Sequence, residues 1–329
     1  MGRPRKHDRH LPARMYRRRG VYYYAELSGT WRNLGRDYGA ALIKYAEIVG
    51  ERLQVRSVSD LLGQYIEHAV GRCAAATVVN YRISAANLCK VFGNVAVVDV
   101  VPADVYRYVV TVGNVQANRD RALLSAAYTH ARRTGAVPAG FDDPTKGLHF
   151  RNEEKPRKRY LSDAEQLALS DASSPKLAVI QRFLYLTGMR QGDALRVRIE
   201  DIDDAEGIYY EAGKTGSRQV VQWSEDLRAC VDDALRLWRR FGRVWLFESK
   251  PRGKAAARGV GPYTPSGLRA LFRVARAKSG VSDARLHDLR RKAGSDVDEA
   301  HAQQMLGHAD PKTTRRHYRA KPARVKPSK

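Results

Sequence analysis

Residues 187–195 read Thr187-Gly188-Met189-Arg190-Gln191-Gly192-Asp193-Ala194-Leu195, directly after the apolar run 176–187 (KLAVIQRFLYLT). A run this apolar predicts a helix buried on most of its surface. Gly188 ends it, because glycine tolerates the left-handed backbone of a helix C-terminus and lets backbone approach a ligand closely. Helix is expected to restart over 193–195. Arg190 is therefore held in a turn where a core helix opens.

Working outward, Leu161-Ser162-Asp163-Ala164-Glu165 predicts a helix start with Ser162 as cap and Glu165 in the capping-box position. Residues 207–210 and 219–223 read as strands around Gly213-Lys214-Thr215-Gly216, a tight turn that carries Lys214 at its tip. Helices are expected over 231–241 and 266–279. His287-Asp288-Leu289-Arg290 lies on a helix, where spacing i, i+3 puts His287 and Arg290 on one face. His308 follows in Leu306-Gly307-His308-Ala309-Asp310, and Tyr318 in Thr313-Thr314-Arg315-Arg316-His317-Tyr318.

Two arginines, two histidines, a lysine and a tyrosine, with no paired carboxylates and no metal-ligand spacing, suit phosphoryl transfer. Displacement at a phosphodiester loads charge onto the non-bridging oxygens, which guanidinium forks match bidentately. A tyrosine hydroxyl can attack and keep the bond energy in a covalent phosphotyrosine. The leaving 5′-oxygen then needs a proton, for which Lys214 is suited in kind and position. Taken one at a time each of these residues reads more readily as an ordinary capping, turn or surface group.

Upstream, residues 20–27 (GVYYYAEL) and 29–36 (GTWRNLGR) read as a hairpin around Ser28-Gly29, with helix over 38–52 and an Arg-rich arm before it. Alternate aromatics among Tyr22, Tyr23, Tyr24 and Trp31 must pack on the helix. The others, with Arg17, Arg18, Arg19 and Arg32, form a basic aromatic face suited to a DNA groove. From Ser57 the pattern is helical: 60–70 after Ser59, 78–92 after Thr77, 103–112 after Pro102, and 115–134, closing at Gly135 and Pro138-Ala139-Gly140. Arg82, Lys90, Arg107, Arg119, Arg121, Arg132 and Arg133 decorate these helices as phosphate contacts or as a solvated face. The charged stretch 150–160 (FRNEEKPRKRY) reads as a linker whose basic residues, from Lys155 to Arg159, lie along a duplex.

The 329 residues carry 59 Lys plus Arg against 35 Asp plus Glu, a formal net charge of +24. Eight of the first twenty residues and eight of the last twenty are basic, against one acid each. Such an excess points to a polyanion, with nucleic acid first. No apolar stretch reaches the roughly 18 residues of a membrane span, and no signal-peptide core follows the N-terminal charges, so a cytoplasmic protein with no membrane partner is expected. Cys73, Cys89 and Cys230 show neither disulfide nor zinc spacing and are expected as buried small hydrophobes.

In this order, the motifs at 187–195, 287–290, 306–308 and 313–318 resemble the tyrosine recombinase or phage integrase family. The resemblance covers the chain from about 160, and the helical middle is similar to that family's core-binding domain. Residues Arg3-Pro4-Arg5-Lys6, Leu11-Pro12-Ala13-Arg14-Met15-Tyr16 and Leu34-Gly35-Arg36-Asp37 resemble the arm-binding domain of lambda-type prophage integrases. It implies a multidomain fold: a small β-sheet plus helix over 1–55 as arm-type domain, an all-α core-binding domain over 56–148, a linker at 149–160, and a mainly α (α+β) catalytic domain over 161–329 with a basic tail. It further implies Tyr318 as nucleophile, Arg190 and Arg290 on the scissile phosphate, Lys214 as general acid, His287 assisting proton transfer and His308 bonding a phosphate oxygen. Arg3, Arg5, Lys6, Arg17, Arg18, Arg19 and Arg32 would bind DNA. Asp193 and Asp288 are expected to orient guanidinium groups or cap helices. The implied partners are double-stranded DNA at core and arm attachment sites, a homotetramer on DNA, a DNA-bending protein and an excisionase-type directionality factor, with no cofactor and no metal. The implied activity is integration or excision of a phage or prophage element on the nucleoid of a bacterial host. A type IB topoisomerase-like relaxing enzyme and a non-catalytic DNA-binding regulator are the alternatives.

Overall fold

In the computed structural model residues 11–321 are described, apart from 13, 27–28, 52–54, 138–140, 240–241, 251–258 and 319. Arg3, Arg5, Lys6, the turn residue Ser28, the loop 138–140 and most of the basic tail lie outside the described residues. The chain divides into two compact units, Met1–Glu154 and Lys155–Lys329.

Arg19 at φ 48° and Gly20 at φ 77° join β1 (Met15–Arg18) to β2 (Val21–Ala25) through a two-residue turn, the geometry that matches strand twist in a tight hairpin. Arg17 and Arg18 are therefore strand residues, not part of an arm ahead of the sheet, because two consecutive positive-φ residues fold them back onto β2. A third antiparallel strand, β3 (Trp31–Gly35), completes the order β1-β2-β3, and α1 (Tyr38–Glu51) follows. Alternation works as expected: Tyr22, Tyr24, Met15 and Leu34 are buried in one cluster, and Trp31 is 40% exposed.

Four helices follow: α2 (Val58–Ala69), α3 (Ala75–Phe92), α4 (Pro102–Val112) and α5 (Val115–Thr134). Ser57, not Ser59, caps α2 in a reciprocal capping box with Asp60, since the carboxylate that completes the box sits three residues after Ser57. Helix α3 begins before Thr77 and has no side-chain cap. Their shared core centres on Leu61, Leu62, Leu88, Leu124 and Tyr128. Asp120, 1% exposed, is satisfied by Tyr108, Gln116 and Asn87. Cys73, in the connection between α2 and α3, and Cys89, on α3, are only half-buried, so of the three cysteines only Cys230 fits the buried expectation.

The second unit is mostly helical, with small sheets. Its elements are α6 (Asp163–Asp171), α7 (Pro175–Thr187), α8 (Gln191–Ala194), a 3-10 turn (Ile199–Asp201), β4 (Ile202–Asp203), β5 (Gly207–Glu211), β6 (Arg218–Val221) and α9 (Glu225–Leu237). After β7 (Glu248–Ser249) and β8 (Gly261–Pro262) come α10 (Pro265–Ser279), α11 (Leu286–Asp296), α12 (Glu299–Leu306) and α13 (Pro311–Tyr318). Ser162 and Glu165 form the expected capping box. Helix α9 starts at Glu225, six residues ahead of the 231 expected, because Ser224 caps it. Leu177, Ile180, Phe183 and Leu184 of α7 are buried among residues of α9, α10 and α11, which makes α7 the central helix. Among the described residues no helix is long and apolar enough to cross a membrane.

Candidate active site

Gly188 caps α7 in the left-handed conformation at φ 61°, and a Cβ there would meet the Met305 side chain at 3.1 Å. Its carbonyl is freed by that turn and accepts a hydrogen bond from Arg290. The second Arg290 fork donates to the Leu306 carbonyl at 2.6 Å and lies 3.3 Å from His308 Nε2. An arginine N–H only donates, so His308 Nε2 holds the lone pair and its Nδ1–H donates to Thr314 Oγ1 at 2.8 Å. Arg290 is 2% exposed, and its Nε is buried with no hydrogen-bond partner among the described residues.

Tyr318 ends α13. Its hydroxyl is 3.2 Å from His287 Nε2, its ring centre 4.7 Å from that of His308, and the Arg290 guanidinium carbon 5.4 Å from it. Burial, reinforced by the cations of Arg290 and Arg291, pushes the His287 imidazole down to about 4. Burial, with Arg290 and Arg190, also takes His308 to about 4. Both rings are therefore neutral near pH 7, and His287 Nε2 is free to accept the tyrosine proton.

Arg190 precedes α8, half-buried, with its guanidinium 4.0 Å from Asp193 Oδ2. Asp193 Oδ1 accepts from Arg196 at 2.6 Å and from the Gly213 N–H at 3.1 Å, which ties the base of the β5–β6 turn to the Arg190 turn. Lys214 is exposed in that turn, and among the described residues it makes no hydrogen bond or ion pair with the other five. Five of the six expected residues are thus drawn together, and Lys214 stands on a turn anchored beside them. Asp288 is buried and does cap α11 through the Arg285 N–H, but its guanidinium partners are Arg157 and Arg291, not Arg290.

The same carboxylate engages the linker. Arg157 bonds Asp288 and Asp283, and Arg159 bonds Glu165, so neither is left free to run along a duplex. A buried Asp288 needs cations, and the linker supplies one. Thr314, Arg291, Lys292 and Ser295, at 0%, 6%, 1% and 5% exposure, are buried polar groups that no local sequence signal marks. The Lys292 ammonium is held by Asp163, by Asp296 at 2.8 Å and by the Tyr160 hydroxyl at 3.1 Å. Arg-Arg-Lys on a helix reads as a solvated face unless the carboxylates that meet it are known. Beside His287 runs a basic groove of about 700 Å³ lined by Arg269, Arg273, Arg276 and Arg285. A cavity of about 880 Å³ between α7, β6 and α12 is lined by none of the six.

On the sheet, Tyr16, Tyr23 and Trp31 pack together on the outer face, with ring centres 5.1 and 6.3 Å apart at Trp31. The Arg18 guanidinium lies 4.3 Å over Trp31 and Arg17 5.6 Å over Tyr22. Arg19 is exposed at the turn, and Arg32 is paired with Glu26 at 2.6 Å.

The phage integrase family model matches residues 159–324. The tyrosine recombinase XerC of Bifidobacterium longum subsp. infantis is 30% identical over 170 residues, which are 47% of this chain and 46% of that protein. The XerC of Pseudomonas putida is 26% identical over 208 residues, 58% of this chain and 66% of the relative. The chain thus spans about half the length of the first of these curated relatives. Among solved structures, a lambda integrase dimer bound to a COC′ core site aligns with TM-score 0.71 at 20% identity, over 98% of this chain and 99% of that one. The Tn1549 transposon integrase with circular intermediate DNA aligns with TM-score 0.62 at 15% identity, over 82% and 96%. At these identities the structural likeness establishes the fold.

Proposed function

The chain belongs to the phage integrase family, and we propose that it is a site-specific DNA recombinase that cuts and rejoins duplexes through a covalent 3′-phosphotyrosine on Tyr318. The observation that carries this reading is the Tyr318 hydroxyl 3.2 Å from His287 Nε2, with the Arg290 guanidinium beside the same ring. The phenol oxygen attacks phosphorus while its proton passes to the neutral His287. Arg190 and Arg290 clamp the non-bridging oxygens, Arg290 with a guanidinium already fixed by the Gly188 and Leu306 carbonyls. Lys214 gives the departing 5′-oxygen its proton, and the turn it sits on is anchored to the Arg190 turn through Asp193. Religation reverses these steps with a 5′-hydroxyl from the partner strand. His308 bonds a phosphate oxygen once its Nε2 is protonated, which an incoming anion favours.

Two duplexes present four strands and each chain one nucleophile, so the working assembly is a tetramer. The sheet, with Arg18 stacked on Trp31, supports an arm-type DNA-binding domain, and hence integration or excision of a phage or prophage element in the bacterial cytoplasm. A DNA-bending protein and a directionality factor belong to that reading. Chromosomal recombination is the second reading, favoured by the XerC relatives. The lambda integrase likeness extends over 98% of the chain and so takes in the sheet, which favours the first. A duplex selected from random sequence by binding, then nicked beside the crossover, tests the chemistry. The protein should trap an adduct and Tyr318→Phe should trap none, whereas an adduct with Tyr318→Phe refutes the assignment.

A further inference from the structure

Helix α11 reaches the end of α13 with four residues at spacing i, i+3, i+4 and i+8. His287 and Arg290 meet the Tyr318 side chain, as described. Arg291 Nε donates to the His317 carbonyl at 2.8 Å, and Ser295 Oγ donates to the Tyr318 carbonyl at 2.5 Å while accepting from the Ala320 N–H at 2.8 Å. His317 and Tyr318 are the last two residues of α13, where helix carbonyls have no intrahelical partner. Here a different helix caps both. The two backbones also lie close, since a Cβ on Gly294 would sit 3.5 Å from Tyr318 Cβ and 2.7 Å from Leu306 Cδ1. Arg291 is itself fixed, through Asp288 Oδ1 at 2.8 Å, and the same carboxylate holds Arg157.

We propose that Arg291, fixed by Asp288, and Ser295 are positioning residues for the nucleophile. The inference rests on the reading of Tyr318 as nucleophile. A tyrosine side chain has two torsions, so once its carbonyl and the Ala320 N–H are held its hydroxyl sweeps only a small arc. The residues that present the base and the phosphate clamp, His287 and Arg290, ride on the helix that holds that carbonyl. One rigid element thus sets attacking atom, base and clamp together. Displacement of an attacking atom by about 1 Å costs on the order of a hundredfold in rate.

Single-turnover adduct formation on the nicked duplex, at saturating protein, tests this alongside DNA affinity and Tm. Ser295→Ala should slow the adduct by about tenfold to a hundredfold, with affinity within about twofold and Tm nearly unchanged, and Ser295→Thr should restore part of the rate. A 5′-bridging phosphorothiolate, whose sulfur leaves without a proton, should rescue Lys214→Ala and leave Ser295→Ala slow. Arg291→Met, read the same way, keeps the test independent of one variant. Wild-type rates in both Ser295→Ala and Arg291→Met overturn the inference and leave the nucleophile assignment standing. An adduct from Tyr318→Phe overturns the assignment beneath it.

Discussion

Strand β1 and helix α11 each carry consecutive basic residues, Arg17-Arg18 in one and Arg290-Arg291-Lys292 in the other, and the fold treats them in opposite ways. On β1 both arginines are exposed and rest on aromatic faces. On α11 all three are buried, at 2%, 6% and 1% exposure, and each is fixed by carbonyls or carboxylates. An exposed guanidinium over a ring gains on the order of 0.5–1 kcal/mol and stays adjustable, which suits contact with a phosphate backbone. A buried cation costs several kcal/mol to desolvate and persists only in one well-satisfied geometry, which suits a site where atoms must be placed to an ångström.

The comparison breaks most sharply at Asp288. Asp288→Ala would leave Arg291 buried without its carboxylate and should destabilise the second unit by about 3–5 kcal/mol in denaturant unfolding. A loss below about 1 kcal/mol would mean that the α11 charges are as loosely held as those of β1.

Acid should act through the two histidines of the site. His287 and His308 are held near 4 in the folded state against 6.5 in a free chain, so the unfolded chain takes up protons first as the pH falls. Stability from these two groups is complete above about 6.5 and declines between 6.5 and 4. Asp296, held near 2 against burial by Lys292, stays charged through that window. Melting temperature against pH should slope downward there, and His287→Gln should flatten the slope. An unchanged slope in that variant would place the titration elsewhere.

Arg18→Ala should cost least, under about 1 kcal/mol of stability. It should weaken DNA binding and reduce the slope of log affinity against log salt by about one. An unchanged salt slope would remove Arg18 from the DNA-facing set.

The motif at 187–195 and the capping box at Ser162 were legible in the sequence because each is a local signal: a glycine after an apolar helix, and a carboxylate three residues after a serine. The alternation of Tyr22, Tyr23 and Tyr24 was legible for the same reason. The hairpin turn at Arg19-Gly20 was hidden because an arginine at positive φ carries no compositional sign. The α11 network was hidden because its partners come from far along the chain, with Asp163 and Tyr160 reaching Lys292 and Arg157 reaching Asp288. A charge run is polar until the fold supplies the opposite charge.

Whether Tyr318 takes the phosphoryl group is read by digesting the covalent protein–DNA complex and identifying the peptide that carries the nucleotide. The peptide containing His317-Tyr318 should carry it, on the phenol oxygen. A nucleotide on any other residue, or a duplex cut with no nucleotide left on the protein, would contradict that assignment.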